Sequence, residues 1–318
     1  MKRFENQLII ITGGAGCIGS CVCKYLNENS NSNVVIVDDL KQSEKWKNLV
    51  GKQFFDFIPK HELFDWMEGK QSEIDAIIHL GASSDSLAKD AGYYLDNNYK
   101  FSQKLVDYAL KNDHRFIYAS SFATYGKGEM GFVDDEANLE KLKPLNLYAF
   151  SKHLFDLWLK RERMLDQVVG LKFFNVFGPN EYYKGPKASM IYQMYEQVKK
   201  EGSVKLFKEG GQKRDFIYAK DVAAIICGFL TTKHVGIYNV GSGQEHSWNE
   251  IVEILSKAME TKIGIEYIDI PKELEKQYQD YTKADVTKLK GTGLLQVTPL
   301  EDAIQDYVHN YLDKELTW

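Results

Sequence analysis

Leu8-Ile9-Ile10-Ile11-Thr12-Gly13-Gly14-Ala15-Gly16-Cys17-Ile18-Gly19 is the stretch on which the fold of this chain turns. A short apolar run enters a turn in which Gly13, Gly16 and Gly19 recur every third residue, and Ile18 to Asn29 then reads as a helix. Glycine allows a tight turn and close backbone approach, and the N-terminus of the following helix presents unpaired N–H groups to a pyrophosphate. Strand, glycine turn and helix in that order point to a bound dinucleotide.

Working outward, Val34–Val37 reads as the next strand and ends at Asp38. Further apolar runs at Ile74–His79, Arg115–Ala119 and Val168–Phe174 are separated by helical stretches at Tyr94–Lys111 and Leu147–Arg163. Strands alternating with helices predict an α/β fold, a Rossmann-type doubly wound parallel sheet covered on both faces. Beyond Phe174 the pattern loosens. Ile191–Lys200, Lys220–Leu230, Trp248–Met259 and Leu300–Tyr311 look helical, with short strands near Gly236–Val240 and Ile265–Ile268. The expected organisation is a dinucleotide-binding domain over 1–174 that also takes in parts of 213–241, interleaved with a smaller α/β substrate-binding lobe over 175–318.

The 318 residues are 44% hydrophobic and 27% charged, enough for a sizeable core. A net charge of −5 and a pI near 5.9 offer no field for nucleic acid or an anionic membrane, so a small molecule is the expected partner. No apolar run approaches the roughly 18 residues needed to cross a bilayer. Met1-Lys-Arg-Phe-Glu-Asn-Gln7 lacks the apolar segment of a signal peptide, which makes the expected location cytoplasmic. Cys17, Cys21 and Cys23 crowd together, but they fall in the glycine turn and its helix with no histidine among them. They read as structural thiols, with Cys227, and no metal is expected.

Asp38 lies about twenty residues beyond Gly19, where an acid binds the ribose 2′-hydroxyl of NAD. Lys41, Lys45 and Lys47 follow it closely; they are either a cationic site for the 2′-phosphate of NADP or a solvated face, and the residues alone leave both cofactors open. The second constellation is Tyr148-Ala-Phe-Ser-Lys152. On a helix, residues at i and i+4 share a face, so phenol and ammonium meet in one small volume. A cation within roughly 4–6 Å favours the phenolate, which would bring Tyr148 from about 10 towards working pH as an acid/base. Ala119-Ser-Ser-Phe-Ala-Thr-Tyr-Gly126 follows a strand at its carboxyl end, which lets Ser121 reach the same substrate oxygen. Together these residues suggest hydride chemistry on an alcohol.

With the glycine turn and Tyr148/Lys152, the chain also has Val37-Asp-Asp-Leu-Lys41, Leu95-Asp-Asn-Asn-Tyr99, Phe173-Phe-Asn-Val-Phe-Gly-Pro179, Lys213-Arg-Asp-Phe216 and Tyr278-Gln-Asp-Tyr-Thr-Lys-Ala-Asp285. On these motifs it resembles, nearly end to end, the extended short-chain dehydrogenase/reductase family and within it the nucleotide-sugar epimerases. The resemblance implies an NADP-dependent isomerase that inverts C6 of the heptose in an ADP-linked sugar, a precursor of the lipopolysaccharide inner core. Oxidation would give a 6-keto intermediate, and hydride would return to the opposite face after rotation about the exocyclic bond. A homopentamer is implied as well. So is a second acid/base, Lys184; read without the resemblance, Lys184 is a lone loop lysine.

The same resemblance implies cofactor contacts at Cys17, Ile18, Asp38, Asp39, Lys45, Lys60, Leu80, Gly81, Ala82, Ser83, Ser84 and Asn97, with Lys45 on the 2′-phosphate and Lys152 also holding the nicotinamide ribose. It implies substrate contacts at Asn175, Val176, Phe207, Lys208, Glu209, Gly210, Arg214 on the diphosphate, and Tyr278. Pro186 and Gln193 depart from the family, whose members carry Ser and His there. A 4,6-dehydratase would need an Asp-Glu pair where Phe122-Ala-Thr124 stands. A UDP-hexose 4-epimerase is the nearer alternative, although a ring ketone needs no counterpart of Lys184. A non-catalytic NADP-sensing protein would have no use for Ser121, Tyr148 and Lys152 together.

Overall fold

The computed structural model describes residues 7–84, 90–271 and 279–318. Its strands are β1 Leu8–Thr12, β2 Val34–Asp38, β3 Asp56–Pro59, β4 Ile74–His79, β5 Arg115–Ser121, β6 Val169–Phe173, β7 Asn175–Phe177, β8 Ser203–Phe207, β9 Lys213–Arg214, β10 Phe216–Tyr218, β11 Gly236–Val240, β12 His246–Ser247 and β13 Gly264–Ile268. Seven of them form one parallel sheet in the order β11-β6-β5-β4-β1-β2-β3. β1 and β2 are buried at every position, as expected for strands covered on both faces.

One face packs against helices Cys17–Glu28 and Ala219–Leu230, and the other against Phe101–Lys111 and Leu147–Arg161. Gly236–Val240 hydrogen-bonds to β6 and forms the outer strand of this main sheet, so the chain returns to the first layer late. A separate core forms where helices Met190–Glu201, Trp248–Ala258 and Leu300–Tyr307 meet the short pairs β7/β10 and β8/β13. The four cysteines are buried free thiols. Among the described residues, no helix is long and apolar enough to cross a membrane.

The sheet order reverses direction between β1 and β4, and open α/β sheets bind ligands at such a switch point, at the carboxyl ends of the strands. The stretch read as one helix from Tyr94 to Lys111 is broken: Leu95–Lys100 widens into π-helix between α-helical turns. Such widening is common at functional sites, and here it places Asn97 at the mouth of the crevice.

Candidate active site

β1 leads into the glycine turn at the switch point. Gly13 has φ +68°, and a Cβ there would lie 2.7 Å from the backbone of Gly81; one on Gly19 would lie 2.3 Å from the Gly13 carbonyl oxygen. No side chain fits at either position, which leaves a backbone cradle at the start of helix Cys17–Glu28. Beside it a cavity of about 370 Å³ is lined by Gly13, Asp38, Asp39, Lys45, Lys60, Gly81, Ala82, Ser83 and Asn97 among others. Asp38 Oδ2 accepts from Ala15 N at 3.0 Å, and Lys45 Nζ donates to Asp38 Oδ1 at 2.5 Å and to Asp39 O at 2.9 Å. Lys60 donates to Asn97 Oδ1 and lies 4.4 Å from the Phe101 ring centre; burial pushes its ammonium below the usual lysine range. The cradle, acid and lysines fit a nicotinamide dinucleotide.

Not every expected cofactor residue faces that cavity. Leu80 packs against the core, Ser84 is exposed, and Ile18 leans on the core from the half-buried side of its helix. Burial raises the Cys17 thiol to about 11, so it stays neutral. Behind the cradle runs a buried chain: Thr12 Oγ1 and His79 Nδ1 are 2.6 Å apart, and His79 Nε2 and Ser102 Oγ 2.7 Å. Burial holds His79 well below its ordinary range, and hence neutral.

β5 ends at Ser121, whose Oγ accepts from Ala123 N at 3.1 Å. Asn146 caps the next helix by accepting from Ala149 N at 2.9 Å, so Tyr148 falls in its first turn and Lys152 on the same face one turn later. Ser121 is near enough to the Tyr148 hydroxyl to act on its titration. The titration of Tyr148 differs from the sequence expectation. Burial pushes the phenol up rather than down, and what opposes that is the Ser121 hydroxyl and the charge of Lys184. Lys152 instead donates to Ala119 O at 2.8 Å, and burial lowers its own ammonium to about 8 against the pull of Asp156. Lys184 lies on a turn over Tyr182–Lys187; burial disfavours its charge, but Cys17, Glu181 and Tyr183 outweigh burial and hold it above the usual lysine range, the thiol and the phenol contributing only at alkaline pH where they ionise.

The expected substrate residues are found in different states. Asn175 Nδ2 donates to Asp215 O at 2.7 Å, and Val176 is half-buried beside it on β7. Pro186 is exposed, and Gln193 donates to Pro186 O at 3.2 Å and Ala188 O at 2.7 Å, so this pair braces the turn of Lys184. Phe207 ends β8, and Lys208, Glu209 and Gly210 continue with φ of +46°, +57° and +68°. A Cβ on Gly210 would meet Asn249 Oδ1 at 2.2 Å. Lys208 Nζ pairs with Asp280 Oδ1 at 2.7 Å, and the buried Arg214 guanidinium lies 5.9 Å from the Trp248 ring centre. Tyr278 is outside the described residues.

Three features carried no readable signal. Tyr183, next to Lys184, takes a hydrogen bond from Cys17 N at 3.4 Å, so the Lys184 turn touches the glycine cradle. Glu181 is wholly buried at the root of that turn. Asp156 and Lys172, both fully buried, pair at 2.9 Å beneath the Ser121 loop. Each is set by contacts with residues elsewhere in the chain, which no local pattern marks.

The model of the NAD dependent epimerase/dehydratase family matches residues 9–241. An ADP-L-glycero-D-manno-heptose-6-epimerase of Nitratidesulfovibrio vulgaris (strain DP4) is 43% identical over 316 residues, covering 96% of this chain and 98% of the relative. One of the same name from Fusobacterium nucleatum subsp. nucleatum is 40% identical over 329 residues, covering 97% and 99%. Among solved structures, the ADP-L-glycero-D-manno-heptose-6-epimerase of Helicobacter pylori superposes with a TM-score of 0.84 at 30% identity, covering 96% of each chain.

Proposed function

Because this chain belongs to the NAD dependent epimerase/dehydratase family, we propose that it works as an isomerase that inverts C6 of the heptose in ADP-D-glycero-β-D-manno-heptose to give ADP-L-glycero-β-D-manno-heptose. The observation that carries this reading is the meeting of two acid/base groups from different elements. Ser121 and, from a separate turn, Lys184 are both close enough to act on the titration of Tyr148. One-sided chemistry needs only the first.

The cofactor, read as NADP from Lys45 and as NAD from Asp38, would be held by the glycine cradle, Asp38, Lys45, Lys60 and Asn97, and supplies the place where hydride is left and from which it returns. Tyr148 takes the proton from O6 of one epimer and gives it back, with Ser121 fixing the oxygen between them. Lys184 performs the same exchange for the other epimer from the opposite side. At neutral pH in the protein alone, both groups hold their protons, the form that protonates a ketone oxygen; taking the proton from O6 needs the phenolate of Tyr148 or the neutral amine of Lys184, which the positive charge of an oxidised nicotinamide would favour. Lys152 donates to Ala119 O at the floor of the site and would hold the nicotinamide ribose. Arg214 would pair with the diphosphate, which suits a guanidinium fork.

A role in lipopolysaccharide precursor synthesis in the cytoplasm, and assembly as a homopentamer, complete the reading on family resemblance. The test is incubation of the cofactor-loaded protein with ADP-D-glycero-β-D-manno-heptose, reading C6 by NMR. Inversion supports the reading. An untouched heptose together with interconversion of UDP-glucose and UDP-galactose would favour the 4-epimerase instead.

A further inference from the structure

The turn that carries Lys184 is closed by a single carboxylate. Glu181 is fully buried, and its Oε1 accepts from Gly178 N at 3.2 Å, Ser189 Oγ at 2.8 Å and the Tyr307 hydroxyl at 3.1 Å, while Oε2 accepts from Ser189 N at 2.6 Å. Gly178 and Ser189 flank the turn on its two sides, and Tyr307 reaches it from the C-terminal helix Leu300–Tyr307. The backbone is tied to the same residue, with Lys184 N donating to Glu181 O at 2.9 Å. One side chain therefore gathers three segments of chain around the base of Lys184. A wholly buried carboxylate is costly even when fully hydrogen-bonded, and apolar packing would serve a purely structural joint at least as well.

We infer that Glu181 is the positioning residue for Lys184, holding the turn that carries it and contributing a carboxylate to its surroundings. This rests on the two-sided reading above. The geometry separates its two effects. The four hydrogen bonds hold the turn, and the carboxylate, with Cys17, Tyr183 and Cys21, opposes the burial that would strip the amine of its proton. Removing the charge alone must then make Lys184 lose its proton at lower pH, since an adjacent anion favours the ammonium.

The direct test is the pH dependence of acylation of Lys184 by acetic anhydride, read by peptide mass spectrometry on the cofactor-loaded protein, in wild type and Glu181→Gln. At each pH below its titration, the labelling rate of Lys184 should rise about tenfold or more in the variant, the effect of a fall of about one pKa unit, with Lys111, remote from the site, as an unmoved reference. Turnover should fall at least tenfold, with KM within about threefold. Tyr307→Phe keeps the charge and loses one hydrogen bond, so its Lys184 profile should match wild type while turnover falls severalfold; it also serves if Glu181→Gln does not fold. A wild-type labelling profile in folded Glu181→Gln, or wild-type turnover in Tyr307→Phe, would overturn the assignment. Labelling requires no sugar, so a wild-type protein that ignores ADP-heptose would refute the substrate reading and leave the Glu181 result to be judged by itself.

Discussion

Lys45 Nζ stands 2.5 Å from Asp38 Oδ1, so the acid that suits a free ribose hydroxyl and the cation that suits a phosphate already hold each other. Asp38 is also fixed by Ala15 N through its other oxygen, which leaves Lys45 as the movable partner. If Lys45 turns to a 2′-phosphate, Lys45→Ala should weaken NADP binding by about 10- to 100-fold, the worth of one charge-assisted hydrogen bond at roughly 1.5–3 kcal/mol. NAD binding should change far less. Titration calorimetry with both cofactors checks this, and an equal loss for the two would assign Lys45 to structure.

The Lys172–Asp156 pair should be a stability element. Asp156 also accepts from the hydroxyls of Tyr118 at 2.9 Å and Ser120 at 2.8 Å, and Lys172 also contacts Thr124 Oγ1 at 2.5 Å. Breaking a buried pair strands a charge, so Lys172→Met should cost about 3–5 kcal/mol in urea unfolding. Replacing both as Lys172→Met with Asp156→Leu should recover a large part of it. A single variant within about 0.5 kcal/mol of wild type would contradict the assignment.

Lys152 predicts a pH signature. Its folded ammonium titrates at about 8 against 10.5 when unconstrained, so between those values the unfolded chain binds more protons. Stability from this group is therefore present above 10.5 and is lost as pH falls towards 8. Lys152→Met removes the burden of the buried charge. Compared with wild type in cofactor-free protein, its relative stability should be greatest below pH 8 and decline by about 3 kcal/mol on the way to 10.5. Parallel stability curves across that window would show that the ammonium is not depressed.

Gly19→Ala should purify without cofactor and without activity, because the added methyl would lie 2.3 Å from the Gly13 carbonyl oxygen. Gly291→Ala is the control. It lies in helix Thr287–Gly291 with open space around its Cβ, so it should be neutral or slightly stabilising. Absorbance of released nicotinamide dinucleotide per protein distinguishes the two.

The parts of the molecule that were readable in advance are those with a local period. Glycines every third residue, apolar runs between helices and the four-residue spacing of Tyr148 and Lys152 each report on one element. β3 was missed because Asp56-Phe-Ile-Pro59 puts a charge and a proline into a four-residue edge strand. The pairs β7/β10, β9/β12 and β8/β13 are set by contacts between distant segments, and no local pattern marks them. The site behaved likewise. Tyr148 and Lys152 were legible, but the direction of the Tyr148 shift was not: it depends on how deeply the phenol is covered and on Lys152 directing its amine to Ala119 O. Glu181 and Tyr183 acquire meaning only when the turn of Lys184 closes onto the cradle.

The claim at the centre of this account is that inversion proceeds by removing hydride from C6 and returning it to the other face of the same carbon. ADP-heptose carrying deuterium at C6, incubated with the cofactor-loaded protein in ordinary water, tests it by NMR and mass spectrometry. The expected product is inverted at C6 with deuterium retained. Inversion with deuterium replaced by solvent hydrogen would mean proton abstraction from carbon and would contradict the account.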